Sequence, residues 1–188
     1  MNEHLRPSFE TVLPTIQNAG IRYWVYGGIA IAGINGAYCR DNPDVDIFVL
    51  DDDYDRTIDL VAGLEQQLNW EHRDADQQRE RRKREWRIIG TKGDILSIVP
   101  VFPQGDSVRF VFERDFVPST NLTEETRTIG TYSFITPSKE FLKELLIRKV
   151  NRGRLIKQRR KKLRKDAKVV MDHEEYNRLC DRLDAMEK

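Results

Sequence analysis

The chain has 188 residues, of which 39% are hydrophobic and 34% charged, and its 32 Lys and Arg nearly balance 31 Asp and Glu to leave a net charge of +1. That is enough apolar material for one well-buried domain with a small appendage, and too little chain for two large independent domains. No apolar run approaches the roughly 18 residues of a membrane span, and the polar start MNEHLRPSFE lacks a signal-peptide core, so a cytoplasmic globular protein without membrane contact is expected.

The two cysteines, Cys39 and Cys180, and the three histidines, His4, His72 and His173, are scattered. That spacing excludes a disulfide framework and gives no support to a zinc cluster or a Cys-His dyad.

Residues 8–19 suit an opening helix capped by Ser8 and stopped by Gly20, with Pro14 kinking or delaying it. The run RYWVY at 22–26 is aromatic and β-branched and leads straight into Gly27-Gly28 and the small-residue stretch IAIAGINGA, which predicts strand, tight turn, helix. DVDIFVL at 44–50 predicts a second strand, and DDDYD after it caps a helix over 53–68 whose apolar residues recur every three or four positions. The polar stretch 70–85 has no apolar period and reads as a loop or a solvated strand extension.

Residues 86–89 and 94–101 predict two strands joined by a Gly-Thr-Lys-Gly turn, with SVRFVFE at 107–113 as a further strand. Thr136-Pro137 predicts a helix start, followed by the apolar stripe Phe141, Leu142, Leu145, Leu146 and Val150. Asp172 and Glu175 form a capping-box pattern before a final helix with Tyr176, Leu179, Cys180, Leu183 and Met186 on one face.

Two constellations carry chemistry. Asp44 and Asp46 lie two apart on a strand, so they share a face and repel unless a cation compensates them. Magnesium suits such a pair, because it takes oxygen ligands and is commonly held by one or two carboxylates plus substrate phosphates. The alternative is a turn residue after Asn42-Pro43 and a solvated strand edge. Gly27 and Gly28 let backbone approach a phosphate closely at the start of the following helix, although a glycine pair also makes an ordinary tight turn.

The arrangement YGGIAIAGINGAYCRDNPDVDIFV resembles the core of the DNA polymerase β-like nucleotidyltransferase superfamily, whose pattern is GG or GS, then a strand bearing D-x-D, then a third carboxylate on a later strand. ITPSKEFLKELLIRKVNRGR with LRKDAKVV resembles the C-terminal helical part of aminoglycoside nucleotidyltransferases and of the nucleotidyltransferase toxins of toxin-antitoxin systems. The resemblance implies an α+β fold, with a mixed twisted sheet of about five strands flanked by helices. Its core would span 1–118, with a basic helical subdomain over 119–188 packed on it.

The resemblance further implies transfer of a nucleoside monophosphate from an NTP, with two Mg²⁺ ions held by Asp44, Asp46 and a third carboxylate, for which Asp94 is the candidate. Arg40, Lys143 and Lys165 stand near positions where relatives place nucleotide-binding cations, although each also suits a solvated loop or a surface ion pair. Asn42-Pro43 departs from the threonine-containing approach to D-x-D that is frequent in relatives.

Charge is segregated along the chain. Residues 148–168 hold twelve Lys or Arg and one acid, about +11, which leaves about −10 for the remainder. Together with the cations at 79–84, this run points to RNA, such as transfer RNA, as acceptor, through Arg148, Lys149, Arg152, Arg154, Arg159, Arg160, Lys161 and Lys162. An acidic protein partner such as an antitoxin suits the same run. Adenylyl transfer to an aminoglycoside and an inactive binding module for RNA or protein are the competing readings.

Overall fold

A computed structural model describes residues 2–74, 86–90, 93–110, 116–118, 122–151 and 155–186. A π-helical stretch, Ser8–Val12, passes into α1 (Leu13–Asn18) and ends at Gly20, whose φ is +72°. Pro14 is the second residue of α1, at the junction with the π-helical stretch, where its missing N–H interrupts the backbone ladder. The predicted Ser8 cap is absent, because the helical winding begins upstream of Ser8.

β1 (Tyr23–Tyr26) and α2 (Gly27–Asn35) follow without a connecting residue. Then come β2 (Val45–Leu50), α3 (Asp51–Ala62) and α4 (Glu65–Leu68). The single helix expected over 53–68 is thus two, broken at Gly63-Leu64, where the weak helix former Gly63 closes the first segment. α4 itself ends at Asn69 in the left-handed region, φ 54°.

The first residues of the polar stretch form β3 (Glu71–Asp74), which pairs antiparallel with β4 (Trp86–Gly90); the cations at 79–84 lie outside the described residues. β5 (Gly93–Gln104), β6 (Ser107–Phe110) and β7 (Phe116–Pro118) extend the same sheet. The expected strand over 107–113 is described as far as Phe110.

The sheet is mixed. Its main path runs β1-β2-β5-β4-β3, with β2 parallel to β5 and the other neighbours antiparallel, while β6 pairs the far end of β5. The parallel β2-β5 pair needs a long crossover, and α3, α4 and the β3-β4 ribbon supply it. A second sheet is the hairpin of β8 (Glu125–Ile129) and β9 (Tyr132–Thr136), turned at Gly130-Thr131 with Gly130 at φ 61°.

α5 (Lys139–Asn151), α6 (Lys157–Val170) and α7 (His173–Ala185) complete the chain. The α5 cap is Ser138, not Thr136: its Oγ accepts from the Phe141 N–H at 3.0 Å, while Thr136 closes β9. The expected capping box of α7 forms, with Glu175 N–H donating to Asp172 Oδ1 at 2.8 Å and Asp172 N–H to Glu175 Oε2 at 3.2 Å.

The main apolar core gathers both inward faces of β1, β2 and β5, and it also takes in Ile129 and Phe134 of the hairpin and Phe141, Leu142 and Leu145 of α5. A second cluster joins α5, α6 and α7 through Leu146, Val150, Leu163, Ala167, Leu179 and Leu183. Ile31 of α2 belongs to that second cluster, so α2 bridges the sheet and the basic helices. Among the described residues, no helix is long and apolar enough to cross a membrane.

Candidate active site

β2 is buried by alternation: Val45, Ile47 and Val49 are fully covered, and Asp46, Phe48 and Leu50 occupy the opposite face. Phe48 stacks on Tyr26 of β1, with centroids 3.6 Å apart, and meets the edge of Phe141 of α5 at 6.3 Å. This aromatic contact fixes the carboxylate face of β2 against the end of β1 and the start of α5. Asp44 stands one residue before the strand, two before Asp46, and both are partly exposed.

The β1-β2 register sets Tyr26 opposite Asp46, so the turn that follows Tyr26 lies beside the Asp46 carboxylate. Gly27 has φ +69°, and a Cβ placed there would stand 2.5 Å from Asp46 Oδ2. At Gly28 a Cβ would overlap the Asn42 Oδ1 and the Arg40 guanidinium. Glycine is required at both positions by close approach, and at Gly27 also by conformation. The N-terminus of α2, with its unsatisfied backbone N–H groups, therefore opens beside the carboxylate pair, and carries the partial positive charge that favours an anion.

Arg40 and Asn42 form the wall of this corner. Arg40 makes a bidentate ion pair with Asp166 of α6, and Asn42 is 2% exposed, donating Nδ2–H to the Arg40 carbonyl at 3.1 Å. Asn42 Oδ1 is buried without a hydrogen-bond donor. Burial opposes the Arg40 charge, but the hydrogen bonds and charge of Asp166, aided by Cys39 and Asp46, more than offset it and raise the Arg40 pKa. Burial first, and then the Asp166 charge, pushes the Cys39 thiol up as well.

A cleft of about 760 Å³ opens from Arg40, Asn42 and His4 to Lys161, Lys162 and Lys165 of α6. A second hollow of about 460 Å³, lined by Ile147, Val150, Glu175 and Leu179, contains none of the predicted site residues.

The structure thus brings Gly27, Gly28, Arg40, Asp44 and Asp46 to one corner, with Lys165 on the adjoining cleft. Lys143 is engaged elsewhere: its Nζ lies 2.7 Å from Glu175 Oε1 of α7. That hydrogen bond raises the Lys143 pKa despite partial burial, and together with the Asp172 backbone N–H it lowers that of Glu175.

Asp94 lies in β5, two residues before the start of the β2-β5 ladder at Val45 and Leu96. A register shift against β4 pairs it with Ile89 and skips Ile95, which returns Asp94 to the ladder phase of Ser97. The Asp94 side chain lies outside the described residues. The register partner of Asp46 on β5 is Ser97, 3% exposed, which sequence reasoning passed over because an isolated serine in an apolar strand carries no signal.

Among the described residues, no group of three His, Cys, Asp or Glu side chains is placed to hold a metal ion. Two neighbouring carboxylates beside an anion-accepting helix start do fit magnesium, which completes its oxygen shell with substrate phosphates and water.

Of the predicted acceptor residues, Arg148 pairs with Glu144 at 2.8 Å, and Arg160 donates to the Leu155 carbonyl at 2.6 Å. Arg159 and Lys161 are exposed, Lys149 and Lys162 are half-buried, and Arg152 and Arg154 lie outside the described residues. Asp166 was legible only as one half of a Lys-Asp pair, and its partner 126 residues away was not.

No family model matches the chain, and no curated protein matches it in sequence. Solved structures match it in fold. The antibiotic-resistance factor ANT(2'')-Ia, in solution, gives a TM-score of 0.66 at 13% identity over 100% of this chain and 97% of its own. Its crystal structure in complex with adenylyl-2''-tobramycin gives 0.59 at 11% identity over 94% and 95%. The lincomycin-bound lincosamide antibiotic adenylyltransferase LnuA gives 0.56 at 17% identity over 84% and 93%. At these identities the likeness is one of architecture: this chain shares the α+β fold of ANT(2'')-Ia and LnuA.

Proposed function

We propose that the protein transfers a nucleoside monophosphate from an NTP to an acceptor hydroxyl on RNA. The observation that carries the reading is the approach of Asp46 to Gly27, which sets the carboxylate pair beside the backbone that would receive the triphosphate. Asp44 and Asp46 would hold magnesium. Bound there, the metal would neutralise charge on the triphosphate oxygens as it builds during transfer.

In the reaction the acceptor oxygen bonds to the α-phosphorus, and the bond from that phosphorus to the leaving pyrophosphate breaks. The acceptor proton passes to a carboxylate, for which Asp94 is the proposed group. Gly27 and Gly28 admit the phosphates, Arg40 holds positive charge beside them, and Lys165 borders the adjoining cleft. Lys143 reaches a nucleotide only by leaving Glu175.

Two other readings have an observation behind them. The fold neighbours include a complex with adenylyl-2''-tobramycin, which favours a small antibiotic as acceptor. The Ser97 partner of Asp46 favours an inactive binding module for RNA or for an acidic protein such as an antitoxin.

Incubation with Mg²⁺, labelled NTPs and either total RNA or an aminoglycoside separates the three. Label in RNA supports the proposal, label only in the aminoglycoside transfers it to the second reading, and absence of both transfer and NTP binding leaves the third. Asp46→Asn should abolish transfer while the far-UV spectrum and unfolding transition persist; retained activity would remove the metal assignment.

A further inference from the structure

The basic run divides once its partners are known. Arg148, Arg160 and Arg164 are spent inside the helical part, on Glu144, the Leu155 carbonyl and Asp184. Lys157, Arg159, Lys161, Lys162, Lys165 and Lys168 of α6 make no ion pair among the described residues.

Helical geometry orders these remaining cations. Lys157, Lys161, Lys165 and Lys168 are exposed and recur at intervals of four, four and three residues, so they form one edge about 16 Å long. Leu163, Ala167 and Val170 anchor the opposite side of α6 in the second core cluster, which keeps the lysine edge turned outward. Midway along that edge, Lys161, Lys162 and Lys165 line the 760 Å³ cleft with Arg40, and Glu3 and Asp41 are the acids on its walls.

The row is too long for a triphosphate alone, since it runs past both ends of the cleft. Among the described residues no Phe, Tyr or Trp lines the cleft, and the His4 ring there is held to the Pro43 carbonyl at 2.9 Å, so the cleft offers charge to a backbone more than a stacking surface to bases. A cationic antibiotic would be repelled by the same edge.

We propose that the lysine edge of α6 binds the phosphodiester backbone of a single-stranded RNA segment and directs it along the cleft toward Asp44 and Asp46. Only the strand's destination rests on the nucleotidyl-transfer reading; the binding surface does not.

The test is equilibrium binding of a labelled oligouridylate, without NTP, to the full chain and to two triple variants. Lys157→Gln/Lys161→Gln/Lys168→Gln removes three charges from the edge, and Arg22→Gln/Arg56→Gln/Lys139→Gln removes three exposed charges elsewhere. The edge variant should lose about tenfold or more in affinity near physiological salt, and the slope of log K against log salt should become shallower by about 2, at about 0.7 per phosphate contact on a single strand. The second variant should bind like the unmodified chain.

Equal losses in both variants would mean a diffuse field and overturn the proposal. So would a flat salt dependence of the unmodified chain, or equally tight binding of polyglutamate of matched charge. NTP affinity is measured in parallel, and an edge variant that lost it while keeping RNA would assign the cleft to the triphosphate. A chain that binds RNA along this edge yet transfers nothing leaves this proposal standing and removes the transfer reading.

Discussion

Arg40 and Asp166, 126 residues apart, meet side on, with Nε to Oδ1 at 2.7 Å and the second guanidinium nitrogen to Oδ2 at 2.9 Å, and their side chains are 12% and 6% exposed. One partner immediately precedes the D-x-D strand, and the other is the lone acid of the basic run. The pair therefore ties α6 to the corner where Gly28 and Asp46 lie. Breaking it leaves a buried charge without compensation. Asp166→Asn should cost about 3–5 kcal/mol, read by urea or thermal unfolding, whereas Arg40→Met/Asp166→Leu should recover most of that loss. A single variant as stable as the parent would show that solvent screens the pair.

Gly27→Ala tests the turn. Its φ of +69° disfavours any side chain, at about 1–2 kcal/mol, and the added Cβ would stand 2.5 Å from Asp46 Oδ2. The carboxylate must move. Transfer should fall by about 100-fold or more, far beyond what the stability loss explains, because an error of about 1 Å in a reacting group has that scale. If steady-state kinetics of the folded variant matched the parent, Asp46 would not be the group that matters.

The parts of this site that are local in the chain are the parts its sequence reveals. Tyr26, Gly27 and Gly28 form an apolar-to-glycine junction, and Asp44 and Asp46 interrupt a β-branched run, so strand, turn and carboxylate pair follow from neighbours alone. The break at Gly63 and the β8-β9 hairpin had local signals too, a glycine inside a helical period and Gly130-Thr131 between alternating residues. Leu64 and Leu68 stay in helical phase across the first, and sequence reasoning assigns no strand at 125–136. The Arg40-Asp166 pair, the Asp46-Ser97 register and the sorting of α6 cations into spent and available groups have no local signature. Sheet order and helix docking decide them.

The Lys143-Glu175 pair predicts a defined pH window. Glu175 is held below the usual carboxylate range, so its contribution is present above the ordinary glutamate pKa and disappears as pH falls through the lowered value. Lys143 is raised, so its contribution is intact below the ordinary lysine pKa and disappears as pH rises through the higher value. Glu175→Gln keeps a capping-box side chain and deletes the ion pair. The side chains are about a quarter exposed, so the loss near neutrality should be about 0.5 kcal/mol. Parent and variant stabilities should converge in strong acid and again at high pH; a gap that persisted in acid would assign the effect to packing.

Asp94 and Ser97 make opposite predictions about the third group. Ser97 is the direct partner of Asp46, but a neutral hydroxyl cannot take up and hold the acceptor proton at neutral pH, whereas a carboxylate can. The register shift that skips Ile95 brings Asp94 back into phase with Ser97 at the end of β5 nearer Asp44. If Asp94 fills its proposed role, Asp94→Asn should lower kcat by about 100-fold with little change in the KM for NTP, since that role falls on the acceptor and not on the triphosphate. Ser97→Ala should change kcat by about threefold at most. The pH profile decides between the residues: Asp94→Asn should flatten the acidic limb of kcat, and a limb unchanged in that variant but altered in Ser97→Ala would take the third position away from Asp94.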